Sequence, residues 1–245
     1  MYNILFLGNS LMFYNDMPEL FSQIATANGK EVHVQSVTRG SATISDFCDL
    51  RTKVGEKAVP LLENNKWDYV VIEPSRRISP YENTLKEVEL ASAKKIREMT
   101  EAAGGEVVLY SVWGNNTGSV VEYKAYDPIY TCEVAVHPMD RKTHTGFLHK
   151  VNLEFADALG SVKIALAGYA FENCIAQYPQ IKLYHSDEAH PSPVGSYLAA
   201  ATIYVAIFGQ KVNAIPYTID GTPAAGVLEA VANDTMLGGL VPNLV

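Results

Sequence analysis

The sequence predicts an α/β protein built on a parallel sheet with helices over both faces. Two observations carry that prediction. Short apolar runs alternate along the chain with longer stretches of helical period. The short runs are also near-continuously apolar, as strands are when both faces of their sheet are covered.

Taken in order, residues 3–8 read as a buried strand and 18–27 as an amphipathic helix ending at Asn28-Gly29. A second strand follows at 32–37 and a helical segment at 57–65. The third strand, 68–73, is rich in β-branched residues. Residues 82–103 form a long helix closed by Gly104-Gly105, and 106–112 a fourth strand. Helix 144–159 stops at Gly160, strand five is 162–167, and helices are predicted over 191–208 and 224–232. The stretch 114–143, with Asn115-Asn116-Thr117-Gly118, Pro128, Pro138 and several tyrosines, lacks a clear period. A segment that long without regular structure is expected to be a lid-like insertion in a single domain spanning 1–245.

Composition narrows the function classes. The chain has 245 residues, enough for a full core, and is 48% hydrophobic and 19% charged. A net charge of −8 disfavours nucleic acid and anionic membranes as partners. Cys48, Cys132 and Cys174 are far apart and odd in number, fitting free thiols in a reducing compartment. The first strand starts almost at Met1, and no apolar run approaches the roughly 18 residues of a membrane helix. A cytoplasmic protein is the expectation for the chain as given. His137, His144 and His149 fit no zinc spacing, and neither a phosphate loop nor Gly-x-Gly-x-x-Gly occurs, so no metal and no nucleotide cofactor is expected.

Chemistry concentrates in two short phrases at opposite ends of the chain. Strand one stops on Gly8-Asn9-Ser10, which puts a serine on a sharp turn before a helix, where N–H groups suit a developing oxyanion. Near the other end, Asp187-Glu188-Ala189-His190-Pro191 places a carboxylate three residues before an imidazole. Asp187 can accept from Nδ1 and aim Nε2 of His190 at a serine. Each phrase also has a plain use: Ser10 as a helix cap, and Asp187 as a turn residue before an exposed histidine.

Together the phrases resemble the SGNH (GDSL-like) hydrolases. Phe6-Leu7-Gly8-Asn9-Ser10 is similar to the first block of that family with Asn in place of Asp, and Asp187-x-x-His190 is similar to its last. The continuation Pro191 to Ala200 resembles the carbohydrate-esterase-like and related bacterial branches. The resemblance implies a three-layer, flavodoxin-like α/β/α sandwich with a five-stranded parallel sheet in the order 2-1-3-4-5. It also implies Ser10 as nucleophile, His190 as base and Asp187 as its orienting partner.

The family's oxyanion hole is matched less well. Gly40, in Thr38-Arg39-Gly40-Ser41, is similar to the second-block glycine, though it also reads as a plain turn residue. The third block is absent, and the third strand runs into Glu73-Pro74-Ser75-Arg76-Arg77. Glu73 stands where related branches carry a donating amide, and an ionised carboxylate would repel an oxyanion. Either Glu73 is protonated, or Arg76 or Asn115 supplies the donor, or efficient catalysis has been lost. Trp113 and Tyr123, Tyr126 and Tyr130 could stack on sugar rings or simply pack the loop.

The expectation is therefore a serine esterase for a small acyl ester, an O-acetylated carbohydrate being one candidate. Two alternatives stand beside it. One is a binding protein that kept the crevice without turnover. The other is an esterase or thioesterase for longer acyl chains, which would need an apolar groove built from Leu11, Met12 and Phe13.

Overall fold

The computed structural model describes residues 1–80, 83–125, 133–213 and 225–239, with backbone alone for 120–125, 133–137 and 225. The chain opens with β1 (Tyr2–Gly8), a short α1 (Ser10–Phe13), α2 (Met17–Ala27) and β2 (Val32–Thr38). Next come α3 (Gly55–Asn64), β3 (Tyr69–Ile72), α4 (Thr84–Ala102) and β4 (Glu106–Tyr110). A hairpin of β5 (Ser119–Ala125) and β6 (Glu133–Met139) precedes α5 (Arg141–Ala158) and β7 (Lys163–Ala165). The last helices are α6 (Ala167–Gln177), α7 (Pro193–Phe208) and α8 (Ala225–Leu237).

The main sheet has five strands in the order β2-β1-β3-β4-β7, all parallel. That is the predicted 2-1-3-4-5 order, with the hairpin inserted before the fifth strand. Alternate residues of each strand serve opposite faces. Ile4, Phe6, Val71, Val108 and Tyr110 enter a core with α2, α6, α7 and α8. Leu5, Leu7, Val70, Ile72, Val107 and Leu109 enter a second core with α3, α4 and the end of α5. The result is an α/β/α sandwich whose functional rim is the carboxyl end of the strands.

Several elements differ from expectation for identifiable reasons. Helix α6 is absent from the predicted elements: its first eight residues are all buried, so it shows no polar face from which a period could be read. The stretch expected to be irregular contains the antiparallel hairpin, while Tyr126, Pro128, Tyr130 and Cys132 lie outside the described residues. Helix α7 begins at Pro193 rather than Pro191. Ser192 is the cap, its hydroxyl accepting from Gly195 N–H at 3.1 Å, and Pro191 instead pairs with Tyr184 in an isolated bridge. Cys48 and Cys174 are free thiols. Among the described residues no helix is long and apolar enough to cross a membrane.

Candidate active site

The serine side of the site is built by local geometry. β1 ends at Gly8 because the chain must fold back tightly there: a Cβ on Gly8 would lie 2.6 Å from the Met12 sulfur. Asn9 caps α1, its Oδ1 accepting from Leu11 N–H at 3.0 Å. Its amide nitrogen donates to Glu73 Oε1 at 2.8 Å. Asn9 is thus pinned between its own helix and the end of β3, and Ser10 follows it at the rim. The helix starting at Ser10 has only four residues, so its dipole is small and any oxyanion donation must come from individual N–H groups. After it the backbone passes through left-handed Asn15 (φ 54°) and Asp16 (φ 57°) before α2 begins.

The histidine side is a loop closed on itself. His185 N–H donates to His190 O at 2.8 Å, and Ser192 N–H to Leu183 O at 2.9 Å. Gly195 lets the first turn of α7 lie against this loop, since a Cβ there would fall 2.2 Å from Leu183 O. Asp187 Oδ1 accepts from the N–H groups of Ala189 and His190 at 3.0 and 2.9 Å. Its other oxygen, Oδ2, lies 2.6 Å from His190 Nδ1. Burial works to raise the Asp187 carboxyl, but these N–H donors and the imidazole outweigh it and hold it well below the usual carboxylate range.

The two sides meet. Ser10 Oγ lies 2.8 Å from His190 Nε2. With Nδ1–H donating to an ionised Asp187, Nε2 is left as the acceptor for the serine hydroxyl. The structure therefore brings together Ser10, His190 and Asp187, residues separated by most of the chain, in the geometry of an activated nucleophile.

The rim residues nominated for the oxyanion or substrate divide differently. Gly40 sits beside the serine turn: β1 and β2 pair through Gly8 and Thr38, and Arg39 N–H donates to Gly8 O at 3.3 Å. A Cβ on Gly40 would meet nothing within 4 Å, so packing is not what selects glycine there. Glu73 is 2% exposed and its Oε2 is buried with no hydrogen-bond partner among the described residues. It lies beneath the rim, holding Asn9, rather than facing the crevice. Burial pushes its carboxyl up to about 7 against the pull of Asn9 and Arg76. Glu89 of α4 is buried nearby and likewise pushed up to about 7, with one oxygen accepting from Ser75 N–H.

Arg76 and Trp113 both reach the histidine loop. Arg76 Nη1 and Trp113 Nε1 each donate to the Ala189 carbonyl at 3.2 Å. Trp113 is fully buried and stacked on Phe171, with ring centroids 3.8 Å apart, so it cannot offer a face to a sugar. Both side chains anchor the histidine loop. Asn116, which in the sequence reads only as part of a turn, does the same: its N–H donates to Glu188 O at 2.8 Å and its amide to Glu188 Oε2 at 2.5 Å. Asn115 is half-buried, with Oδ1 enclosed and unpartnered among the described residues. Leu11 and Met12 point into the core, so neither can line an acyl groove.

Among the described residues the other histidines do not gather around a common centre. His144 Nδ1 lies 2.7 Å from Ser119 Oγ, and burial pushes the ring down to about 4. His149 packs against Tyr169, and the His137 side chain lies outside the described residues. Among the described residues no group of three metal-ligating side chains occurs.

Comparison with known proteins agrees with this architecture. No protein-family model matches the chain, and no curated protein does. Among solved structures, a DUF4886 family protein from Bacteroides uniformis superposes with TM-score 0.70 at 19% identity, covering 99% of this chain and 98% of its own. A protein from Slackia heliotrinireducens that carries a provisional SGNH hydrolase assignment gives 0.62 at 24% identity, covering 84% and 98%. Axe2, an acetylxylan esterase from Geobacillus stearothermophilus, gives 0.58 at 16% identity, covering 86% and 96%. The strand order, the layering and these superpositions together establish that the chain has the SGNH hydrolase fold.

Proposed function

We propose that this protein is a serine ester hydrolase for small acyl esters, with Ser10 as nucleophile, His190 as base and Asp187 as the residue that orients it. The observation that carries the reading is the continuous relay of 2.8 and 2.6 Å from Ser10 Oγ through His190 to Asp187. As Ser10 Oγ bonds to the acyl carbon, its proton passes to Nε2 and the carbonyl π pair moves onto oxygen. The N–H groups of Ser10 and Gly40 are the proposed donors to that oxyanion. Collapse of the intermediate expels the alcohol, which takes the proton from His190. Water, deprotonated by the same imidazole, then releases the acid and regenerates Ser10.

Small acyl groups are favoured because Leu11 and Met12 are turned inward, which leaves only half-buried Phe13, beside Tyr14, of the three residues named for an apolar groove. An acylated carbohydrate is the proposed substrate class, in keeping with the description of Axe2 as an acetylxylan esterase. The binding-only alternative was motivated by a charged Glu73 in the hole, and the withdrawal of that side chain beneath Asn9 weakens it.

A fluorophosphonate probe tests the nucleophile directly: Ser10 should be labelled, and Ser10→Ala should not. On p-nitrophenyl acetate the same variant should lose about 10⁴- to 10⁶-fold in kcat. A Ser10→Ala protein that hydrolyses the ester at the parent rate would sink the mechanism.

A further inference from the structure

Immediately after the nucleophile helix, Tyr14 lays its ring flat on His190, with centroids 4.1 Å apart and planes 9° from parallel. No other aromatic ring among the described residues stacks on that imidazole, and Tyr14 also meets His185 edge-on at 6.1 Å. What keeps Tyr14 there is an unusual backbone. The next two residues, Asn15 and Asp16, are both left-handed, a conformation that costs an L-residue energy unless its surroundings hold it.

The surroundings do hold it. Asn15 Nδ2 donates to Pro191 O at 3.0 Å and to Ser196 Oγ at 2.9 Å, and Ser196 Oγ donates to Tyr14 O at 3.0 Å. These bonds tie the serine segment to the residues on the C-terminal side of His190, independently of Asp187. The strained pair thus has a counterpart: it turns Tyr14 onto the imidazole and Asn15 onto the chain that follows it.

We propose that Tyr14 is a positioning residue that fixes the His190 ring plane and stabilises the imidazolium formed as Ser10 gives up its proton, with Asn15 as the clamp that keeps it in place. The inference rests on the triad reading above. Asp187 and Ser10 hold the two nitrogens of the ring, and Asp187 fixes its tautomer, yet both hydrogen bonds lie at the ring edge and neither braces its face against tilting about the Nδ1–Nε2 line. A flat aromatic face removes that tilt. The face of a phenol ring carries negative charge density, so it attracts an imidazolium more strongly than a neutral imidazole. The contact therefore strengthens as the proton moves, which is the condition for lowering a barrier rather than merely binding.

The test uses the full chain, with p-nitrophenyl acetate turnover and the rate of fluorophosphonate labelling as readouts. Tyr14→Phe keeps the ring and should stay within about twofold of the parent kcat, while Tyr14→Leu should lower kcat about tenfold with KM within about twofold. Labelling should slow by the same factor. Asn15→Gly permits the left-handed φ but deletes both side-chain bonds, so it should fold and show a similar loss in kcat. That variant carries the test if Tyr14→Leu does not fold. Parent kcat in both Tyr14→Leu and Asn15→Gly, a loss confined to KM, or a Phe variant as impaired as Leu would each overturn the proposal. A parent protein that is itself unlabelled at Ser10 brings down the triad reading and this inference together. A labelled parent with unaffected variants brings down this inference alone.

Discussion

Ser10 stands on a turn whose supports are mostly a few residues away: the β1 ladder, the Asn9 cap on Leu11, and Met12 packed over Gly8. His190 stands on an exposed loop whose supports come from everywhere else. Arg76 follows β3, Trp113 and Asn116 follow β4, and Tyr14 and Asn15 follow the nucleophile itself. The contrast shows two ways of making a reactive group rigid. A nucleophile next to a buried strand inherits the stiffness of the sheet. A base in a loop must be fixed by many long-range side-chain contacts, which share the task.

The carboxyls of the two halves differ in the same sense. Asp187 is partly exposed, fully hydrogen-bonded and held low; Glu73 is buried, half-bonded and pushed up to about 7. One is a charge in use, and the other is a carboxyl under the serine turn that burial makes hard to ionise. The largest expected effect that separates them is Asp187→Asn. Its carbonyl could still accept from the two backbone N–H groups, but its amide would donate to Nδ1 and leave Nε2 carrying the proton. Ester turnover should fall about 10⁴-fold with the loop intact. A loss below tenfold would mean that His190 does not depend on Asp187 for its tautomer.

How much of this the sequence disclosed follows the same division. The turn at Gly8-Asn9-Ser10 and the spacing of Asp187 and His190 are local patterns; the parallel sheet follows from strands alternating with helices, and its order is what the resemblance to the SGNH hydrolases implies. Trp113 is buried rather than open to a sugar because a rim position does not reveal which way a side chain turns. Trp113 and Arg76 each donate to one carbonyl of a loop that is 76 and 113 residues further on. Asn15 gave a faint signal, since asparagine tolerates left-handed backbone, but its partners Pro191 and Ser196 lie at the far end of the chain. Helix α6 escaped for the opposite reason: burial on all sides erased its period.

A middling effect concerns stability rather than rate. Glu73 and Glu89 each have a folded pKa of about 7 against an ordinary 4.5, so the folded chain keeps protons that the unfolded chain releases between those values. Their contribution to stability is full below about pH 4.5 and is lost as pH rises through about 7. Glu73→Gln and Glu89→Gln stay neutral at every pH and should each stabilise the fold at pH 8, by up to about 3 kcal/mol. The gain should vanish near pH 4. The amide oxygen of a Glu73→Gln side chain can still accept from Asn9, so turnover should survive. Urea unfolding at the two pH values reads the difference, and equal gains at both would show that burial does not set these carboxyls.

The smallest effect probes the loop anchors. Arg76 and Trp113 donate to the same carbonyl, that of Ala189, one residue before His190. Removing one donor leaves the other, so Trp113→Phe, which preserves the stack on Phe171, should lower kcat by only about threefold. Arg76→Met should cost about as much in rate. It also takes a positive charge from beside Glu73, which moves that carboxyl further up. The double variant leaves the carbonyl with neither bond, and its loss should exceed the product of the single losses by about threefold to tenfold. KM should remain within about twofold, because neither side chain is proposed to touch substrate. Multiplicative losses would mean that the two donors act separately, and a rise in KM would return Arg76 to the crevice.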